Sequence, residues 1–387
     1  MHIDFRSSDR SSVGIEVELQ IIDPQTRKLA SAAIEILEDL RMPSGTGHPK
    51  AKHELLQCTV EMNTGVCSTV AEARADLTNT LAELRGAANA RGFEMMSSGT
   101  HPFSHWREQL ISPKERYHRL VDDLQWPARQ LAIFGLHVHV GVRSGEKAIA
   151  IANALLAYLP HFLGLSAASP FWLGHDSGLA SSRTKVFELL PTAGLPHRMT
   201  SWAEFEQFMS TLISAHAISS IREVWWDIRP HPHFGTVEVR ICDCVPTMTE
   251  VAALAALSQC LVEWMDGLHD RGWSPPTPHM WTIRENKWRA ARYGLDAEII
   301  ADESGRLVPL RAAVREVVRE LTPTATELGC LEELNGTLGI LATGASYQRQ
   351  RAVGEAAGNL VAVVDHLVEE LVTDTPGGAC VAAEPPD

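Results

Sequence analysis

The stretch Gly14-Ile-Glu-Val-Glu-Leu-Gln20 decides the fold prediction, because its residue types alternate strictly. Its aliphatic residues fall on one face of an extended chain, whereas Glu16 and Glu18 fall on the other. Side chains of a β-strand point to opposite faces in turn, so the pattern predicts a strand with one apolar and one acidic face. An acidic face is unusual, because a solvated strand face is richer in Thr, Lys and Gln.

Three further segments alternate in the same way and also carry chemically active residues on the polar face. They are Gln57–Asn63 with Glu61 and Asn63, Leu136–Val142 with His137 and His139, and Thr236–Cys242 with Glu238 and Arg240. If the four strands pair in one sheet with this face inward, their carboxylates converge. Carboxylates at close range cannot all stay ionised without a cation, and a cluster of oxygen ligands suits Mg²⁺.

Each segment taken alone has an ordinary explanation. A Glu-x-Glu pair on a strand is more often a solvated edge than a pair of ligands. His137 and His139 are a weak indication of zinc and could equally be satisfied core histidines, and Glu238 with Arg240 could be a surface ion pair. The combination on four strands is what favours a site.

The rest of the pattern predicts an α+β protein with a helical C-terminal part. Strands lie in the first two thirds of the chain without regular βαβα alternation, which favours an antiparallel sheet flanked by helices. Predicted helices span Thr69–Arg91, Glu146–Tyr158, a segment capped by Ser201 and Glu204, Glu250–Leu268, Trp281–Tyr293, Pro309–Leu321 and Ser346–Val372, and Glu223–Arg229 is predicted as a strand. We expect one catalytic domain over residues 1–372 and a disordered tail over residues 373–387, which hold three Pro and two Gly.

Composition excludes several classes of function. The 34 basic against 48 acidic residues give a net charge of −14, which disfavours nucleic acid as a partner. A polar N-terminus and the lack of 18 consecutive apolar residues argue against a signal peptide and a membrane span. Seven Cys without paired Cys-x-x-Cys spacing favour a reduced, cytoplasmic protein.

The usual nucleotide and hydrolase motifs are missing from the sequence. It contains no P-loop, no Gly-x-Gly-x-x-Gly after a strand and no Gly-x-Ser-x-Gly elbow. Any phosphate must therefore be bound by a metal ion or by arginine, whose planar fork contacts two oxygens at once. The candidate arginines are Arg229, Arg240, Arg289, Arg292, Arg349 and Arg351.

Several ordered motifs, spread from Gly14 to about Val372, resemble the bacterial carboxylate–amine ligases, also called glutamate–cysteine ligase type 2. The motifs are Gly14–Gln20, Thr64–Cys67, Gly99–Phe103, His137–Gly141, Leu165–Pro170, Trp226–Pro230 and Phe234–Arg240. The resemblance implies a glutamine-synthetase-like sheet and the ATP-dependent joining of glutamate to an amine, with cysteine as the assigned acceptor. A homodimer is compatible with it.

The resemblance also implies roles for particular residues. It places Mg²⁺ or Mn²⁺ on the side chains of Glu16, Glu18, Glu54, Glu61, His137 and Glu238. It also makes Arg240 the residue that faces the transferred phosphate. Apart from the resemblance, we expect Arg349 to bind ATP together with Arg240, and Asn63 and Arg229 to bind substrate. Glu54 and Glu61 would lie on opposite faces of a straight strand, so a bend or bulge is expected between them. His139, His231 and His233 receive no role.

Two alternatives remain open from the residues themselves. A zinc hydrolase could use His137, His139 and one Glu, and would need an open three-ligand site and no nucleotide. A non-catalytic protein could keep the fold, although every acidic position named above is still acidic here. A ligase that activates a carboxylate with ATP needs no protein nucleophile, which agrees with the missing triad motif.

Overall fold

The computed structural model describes residues 2–8, 11–273 and 275–377. Its centre is a seven-stranded sheet. The strands are β1 Val13–Ile22, β2 Ala51–His53, β3 Thr59–Asn63, β4 Glu94–Met96, β5 Leu136–Gly141, β6 Ile228–His231 and β7 Thr236–Val239. Every pairing between them is antiparallel, in the order β6-β7-β5-β1-β3-β2, with β4 on the far end of β1.

Fourteen helices in the described residues surround this sheet. They are α1 Ala33–Asp39, α2 Val70–Ala90, α3 Glu115–Leu124, α4 Trp126–Arg129, α5 Gly145–Leu155, α6 Leu159–Ser166, α7 Ser182–Phe187, α8 Trp202–Ser214, α9 Met248–Asp270, α10 Met280–Tyr293, α11 Leu310–Leu328, α12 Leu331–Thr343, α13 Ser346–Ala357 and α14 Val361–Thr373. Three short strand pairs lie outside the main sheet, namely Phe171–Trp172 with His175–Asp176, Ala193–Gly194 with Trp225–Trp226, and Glu298–Ile300 with Leu307–Pro309.

The two faces of the sheet have different partners. The aliphatic residues of β1 are fully buried and share one hydrophobic core with α2 and α9, both of which contact β1. That core extends along the chain from Val13 to Leu371. Its apolar burial fixes which face of each strand points inward, and so leaves the acidic and imidazole side chains together on the other face.

Helix α2 begins as its sequence predicts. The Thr69 side chain accepts a hydrogen bond from the backbone N–H of Glu72, and the Glu72 carboxylate accepts one from the backbone N–H of Ser68 at 2.8 Å. The first contact satisfies one of the N–H groups that a helix start leaves without partners, and the second holds the backbone just before the N-cap.

Some predicted boundaries were wrong for identifiable reasons. The helix predicted over Glu146–Tyr158 is followed directly by another helix. Pro160 lies in the first turn of α6, where its missing N–H has no consequence. The predicted helix over 346–372 is two helices separated at Gly358, whose φ of 67° ends α13. The predicted strand over 223–229 begins only at Ile228 in the main sheet.

Two helical stretches, Gly145–Ser166 and Met248–Asp270, are long and apolar enough to cross a membrane by length and composition alone. In both, however, most of the apolar window is buried inside the protein (78% and 72%), as in a core helix. Of the predicted tail, Thr373 still belongs to α14, and residues 378–387 lie outside the described residues. The six described cysteines are free and buried.

Candidate active site

Strand register places the acidic and imidazole side chains of the sheet next to one another. Glu16 on β1 pairs with Asn63 on one side and with His137 on the other. Glu18, two residues further along β1, pairs with Glu61. Because directly opposed residues in an antiparallel pair have Cβ atoms about 5 Å apart, the register alone brings these groups within contact distance.

A histidine-containing triad of Glu16, His139 and Glu238 forms at the centre of this face. Ligand atoms of the three side chains lie within 4.8 Å of one another. His139 Nε2 is 3.6 Å from both carboxylates and has no hydrogen-bond partner, although it is buried. His139 Nδ1 lies 3.0 Å from the hydroxyl of Thr236, a contact that fixes the ring so that Nε2 faces the two acids.

The electrostatics of this triad favour a cation. Burial alone would raise the pKa of Glu16, but His137 and His139 beside it hold that pKa well below its ordinary value. Burial alone would lower the pKa of His139, but the charges of Glu238 and Glu16 raise it. The two acids thus make the position of His139 Nε2 favourable for positive charge, which a metal ion would supply.

A carboxylate triad of Glu18, Glu54 and Glu61 lies beside the first. Their ligand oxygens also lie within 4.8 Å of one another. Burial raises the pKa of Glu18 to about 7. Burial and the neighbouring charges of Glu16 and Glu54 raise the pKa of Glu61 well above its ordinary value. Three acids that resist ionisation together are a site that a divalent cation would stabilise.

Glu54 reaches this triad by a route that the sequence pattern does not show. A bend was expected within one strand, but Glu54 follows the end of β2 and Glu61 lies on β3, so a turn between two strands separates them. The hydroxyl of Ser112 donates a hydrogen bond of 2.5 Å to the Glu54 carbonyl and so holds this turn in place.

Two arginines enclose Glu238. The carboxylate accepts hydrogen bonds from Arg229 Nε at 2.8 Å and from Arg240 Nη1, and Arg229 Nη2 is 2.7 Å away. Burial alone would raise the pKa of Glu238, but Arg229 and Arg240 hold it far below its ordinary value. Arg229 also donates to the backbone carbonyls of Ile221 and Val224, so its guanidinium is largely engaged within the protein.

Both triads adjoin a cleft of about 690 Å³. Its lining includes Glu16, Glu18, Glu54, Glu61, His137, Arg183, Arg229 and Arg240, with Trp225, His231, His233 and Phe234 at one part of the wall and Lys52, Lys114, Arg116 and Tyr117 at another. His139 and Glu238 are almost fully buried beneath it. The cleft therefore offers acids to cations and guanidinium groups to anions within one volume.

Arg183 is a cleft residue that the sequence analysis missed. It lies on α7, a helix of only six residues, and its guanidinium lies 3.9 Å from Asp243. Arg183 is almost fully buried, and its Nε has no hydrogen-bond partner. A single Arg in a short helix carries no periodic signal, so only the three-dimensional arrangement reveals it.

Arg349 is not among the residues that line the cleft, so the geometry does not support its predicted role in binding ATP. Its guanidinium is completely buried, 2.8 Å from Glu250 and 2.6 Å from Glu370, and it also donates to the Gly344 carbonyl. These partners join α9, α13 and α14, so Arg349 connects helices and has no access to a ligand. Asn63 pairs with Glu16 between strands β3 and β1 but is not among the residues that line the cleft.

Comparison with known proteins places this site in a family. A family profile described as glutamate-cysteine ligase family 2 matches residues 12–366. The chain belongs to glutamate-cysteine ligase family 2. The α+β fold expected from the resemblance, and the resemblance itself, are thereby confirmed.

Relatives in this family cover almost the entire chain. A Frankia casuarinae protein assigned as glutamate–cysteine ligase 2-1 is 56% identical over 97% of this chain and 99% of its own length. A Thermobifida fusca protein assigned as glutamate–cysteine ligase 2 is 51% identical over 97% of this chain and 94% of its own.

Solved structures show that the fold is shared at low sequence identity. Glutamate–cysteine ligase from Francisella tularensis in complex with AMP has a TM-score of 0.63 at 12% identity, over 96% of this chain and 94% of its own. A bifunctional glutathione synthetase from Pasteurella multocida has a TM-score of 0.67 at 13% identity over 94% of this chain, which spans about half (52%) of that larger protein.

Proposed function

We propose that this family member activates the γ-carboxylate of glutamate with ATP and joins it to an amine, and that cysteine is the first acceptor to test. The observation that supports the proposal best is the convergence of two metal-type triads and the buried Arg183, Arg229 and Arg240 on one cleft. A carboxylate is a poor electrophile, and this arrangement suits its conversion to an acyl phosphate.

The residues present fit a divalent metal. The carboxylate triad offers only oxygen donors, which Mg²⁺ and Mn²⁺ prefer, and the histidine-containing triad adds one imidazole. His139 Nε2, buried and without a partner, is the donor that most needs a ligand. When bound, such an ion neutralises phosphate oxygens and lowers the cost of moving charge onto them. Mg²⁺ or Mn²⁺ is therefore our proposed partner of ATP.

The reaction balances without a protein nucleophile. A γ-carboxylate oxygen of glutamate attacks the γ-phosphorus of ATP, the bond to the bridging oxygen breaks, and ADP leaves. The free amine then attacks the acyl carbon, inorganic phosphate leaves with the former carboxylate oxygen, and the amine loses a proton. The protein's contribution is to position the reactants and to stabilise the charge that develops on them.

Arg240 is the residue that we assign to the transferred phosphoryl group. It lies two residues from Glu238 and directly after the end of β7, lines the cleft, and has a buried Nε without a hydrogen-bond partner. Arg240 Nη1 donates a hydrogen bond to the Glu238 carboxylate, so the guanidinium group is held in place before substrate binds. Arg229 is a positioning residue in this scheme, because it acts on Glu238 from the opposite side.

The experiment that tests the proposal measures ADP release with ATP and glutamate while amines, cysteine first, are varied. We expect release to require Mg²⁺ or Mn²⁺ and to stop in chelator. Turnover with zinc alone and no nucleotide would instead support the hydrolase, and binding of ATP without turnover for any amine would support a non-catalytic protein. The triad geometry disfavours the hydrolase, since His137 contacts Glu16 and only His139 joins the metal-type triad.

Membership in a ligase family supports small-molecule substrates. Cytoplasmic location, the possible homodimer and the absence of nucleic-acid or membrane partners stay predictions, as does the single domain over residues 1–372.

A further inference from the structure

One cation lies among the acids of the carboxylate triad. Lys52, on the short edge strand β2, pairs with Glu61 in the sheet register, and its Nζ is 2.6 Å from a Glu61 oxygen. The Glu61 side chain is almost buried, with 7% exposed, whereas the Lys52 side chain is 53% exposed. The ammonium therefore reaches a buried acid from the solvent side.

The position of this ammonium conflicts with metal binding at the same acids. Glu61 belongs to a group of three carboxylates with oxygens within 4.8 Å of one another, and each oxygen engaged by an ammonium is less available to a metal ion. Lysine is also the residue best able to leave, since its compact charge lies at the end of a flexible four-carbon stem. The half-exposed stem has room to move toward the cleft that it lines.

Once displaced from Glu61, the ammonium needs another anion nearby. The same end of the cleft contains Lys114 and Arg116. The acids whose charges act on Lys52 are Glu61, Glu16 and Glu54, all of them at the candidate metal sites. Oxygens that share one octahedral Mg²⁺ at about 2.1 Å lie about 3 Å apart. A phosphate oxygen on an ion held by Glu61 would then lie about 3 Å from the carboxylate oxygens of Glu61, and the flexible side chain of Lys52 can span that distance.

We propose that Lys52 is a phosphate-binding residue of the ligase, and that its ammonium substitutes for the divalent ion at Glu61 until metal and nucleotide enter. The inference rests on the proposed function. In the enzyme without ligands, Lys52 would compete with the metal ion for Glu61. In the enzyme with metal and ATP bound, it would bind phosphate beside that ion. A purely structural ion pair between Lys52 and Glu61 would do neither, because its ammonium would contact the same carboxylate with or without ligands.

The test compares three variants of the full chain. Lys52→Met removes the charge, Lys52→Arg keeps it, and Lys114→Met removes a cation of the same cleft end whose Nζ contacts the His53 carbonyl at 3.5 Å instead of an acid. Mn²⁺ binding without nucleotide is measured by titration calorimetry, and the KM for ATP is measured separately.

We expect Lys52→Met to bind Mn²⁺ about 3- to 10-fold more tightly than the wild type, while its KM for ATP rises about 10-fold or more. Lys52→Arg should stay within about 2-fold of the wild type in Mn²⁺ affinity, and Lys114→Met should also change it by less than about 2-fold.

Equal Mn²⁺ affinity in Lys52→Met and Lys114→Met would overturn this inference, and so would tighter Mn²⁺ binding with an unchanged KM for ATP. Neither result would affect the proposed ligase. Failure of the wild type to bind Mn²⁺ at all would overturn the metal sites, and this inference with them.

Discussion

Glu61 and Glu238 are both acids of the candidate metal sites, yet their removal should affect stability to very different extents. The perturbation is Glu→Gln at each position, which keeps size and removes charge. From the sequence, both substitutions would be expected to change stability by about 1 kcal/mol or less if both acids lay in an open cleft. The structure supports that expectation for Glu61 only.

The difference follows from their neighbours. Glu238 is completely buried between Arg229 and Arg240, so neutralising it leaves two buried guanidinium groups without their anion. Breaking a buried ion pair in this way costs about 3–5 kcal/mol. Glu61 instead lies among other acids, and its loss relieves repulsion while removing one half-exposed pair with Lys52, a pair of a kind that contributes about 0.2–1 kcal/mol. The net change for Glu61→Gln should therefore lie within about 1 kcal/mol of zero.

The assay is chemical denaturation of the metal-free proteins in chelator at neutral pH, followed by the same measurement with Mn²⁺. Glu238→Gln should unfold at clearly lower denaturant than the wild type, and Glu61→Gln at a similar or higher concentration. At 100 times its dissociation constant, a bound ion stabilises the wild type by about 2.7 kcal/mol, and this gain should shrink in both variants. A loss above about 2 kcal/mol for metal-free Glu61→Gln would refute the idea that repulsion dominates at this site.

Other expected outcomes concern the remaining parts of the site and its surroundings. Arg240→Lys should lower kcat by about 10³-fold with a smaller effect on ATP binding, since a planar fork contacts two phosphoryl oxygens and an ammonium does not; near-normal kcat would assign Arg240 to the Glu238 pair alone. His139→Gln should weaken Mn²⁺ binding about 10-fold or more by titration, and unchanged affinity would remove His139 from the metal site. Arg349→Met should lower the free energy of unfolding by about 3–5 kcal/mol, as measured in denaturant. Its KM for ATP should stay unchanged at a temperature where the variant is folded, and a raised KM would indicate that Arg349 does bind the nucleotide. Burial raises the pKa of Glu18 from 4.5 to about 7, so ionising this side chain is less favourable in the folded than in the unfolded protein. The metal-free wild type should therefore lose stability relative to Glu18→Gln as the pH rises from about 4.5 through 7. Parallel profiles of stability against pH would contradict this.

The sequence predicts the polar face of the sheet because alternation is a local property. Glu16, Glu18, His137 and Glu238 each sit at a position whose side is set by aliphatic neighbours one residue away. That local rule identifies the acids without any knowledge of which strand lies next to which.

The sequence does not predict how the strands are ordered or what lies under them. Glu238 pairs with His139, and this pairing places His139 rather than His137 in the triad. It depends on the register of two strands that lie about 100 residues apart in the chain. Arg183 and Lys52 belong to a helix of six residues and a strand of three, which are too short for any periodicity. Arg349 was predicted to bind phosphate because the sequence alone does not distinguish an arginine that is buried in ion pairs from one that lines a cleft.

The order of the strands also bears on how the protein acquires its site during synthesis. Strand β1 is made first yet lies in the middle of the sheet, and its neighbour β5 comes more than 100 residues later, followed by β7 about as far again. Such non-local pairings form late, since the chain must close long loops before any contact offsets their entropy. The histidine-containing triad draws on β1, β5 and β7, so it cannot exist before these distant strands have paired. Capture of Mn²⁺ at this triad during refolding should consequently lag behind the appearance of helix, and would report the last stage of assembly.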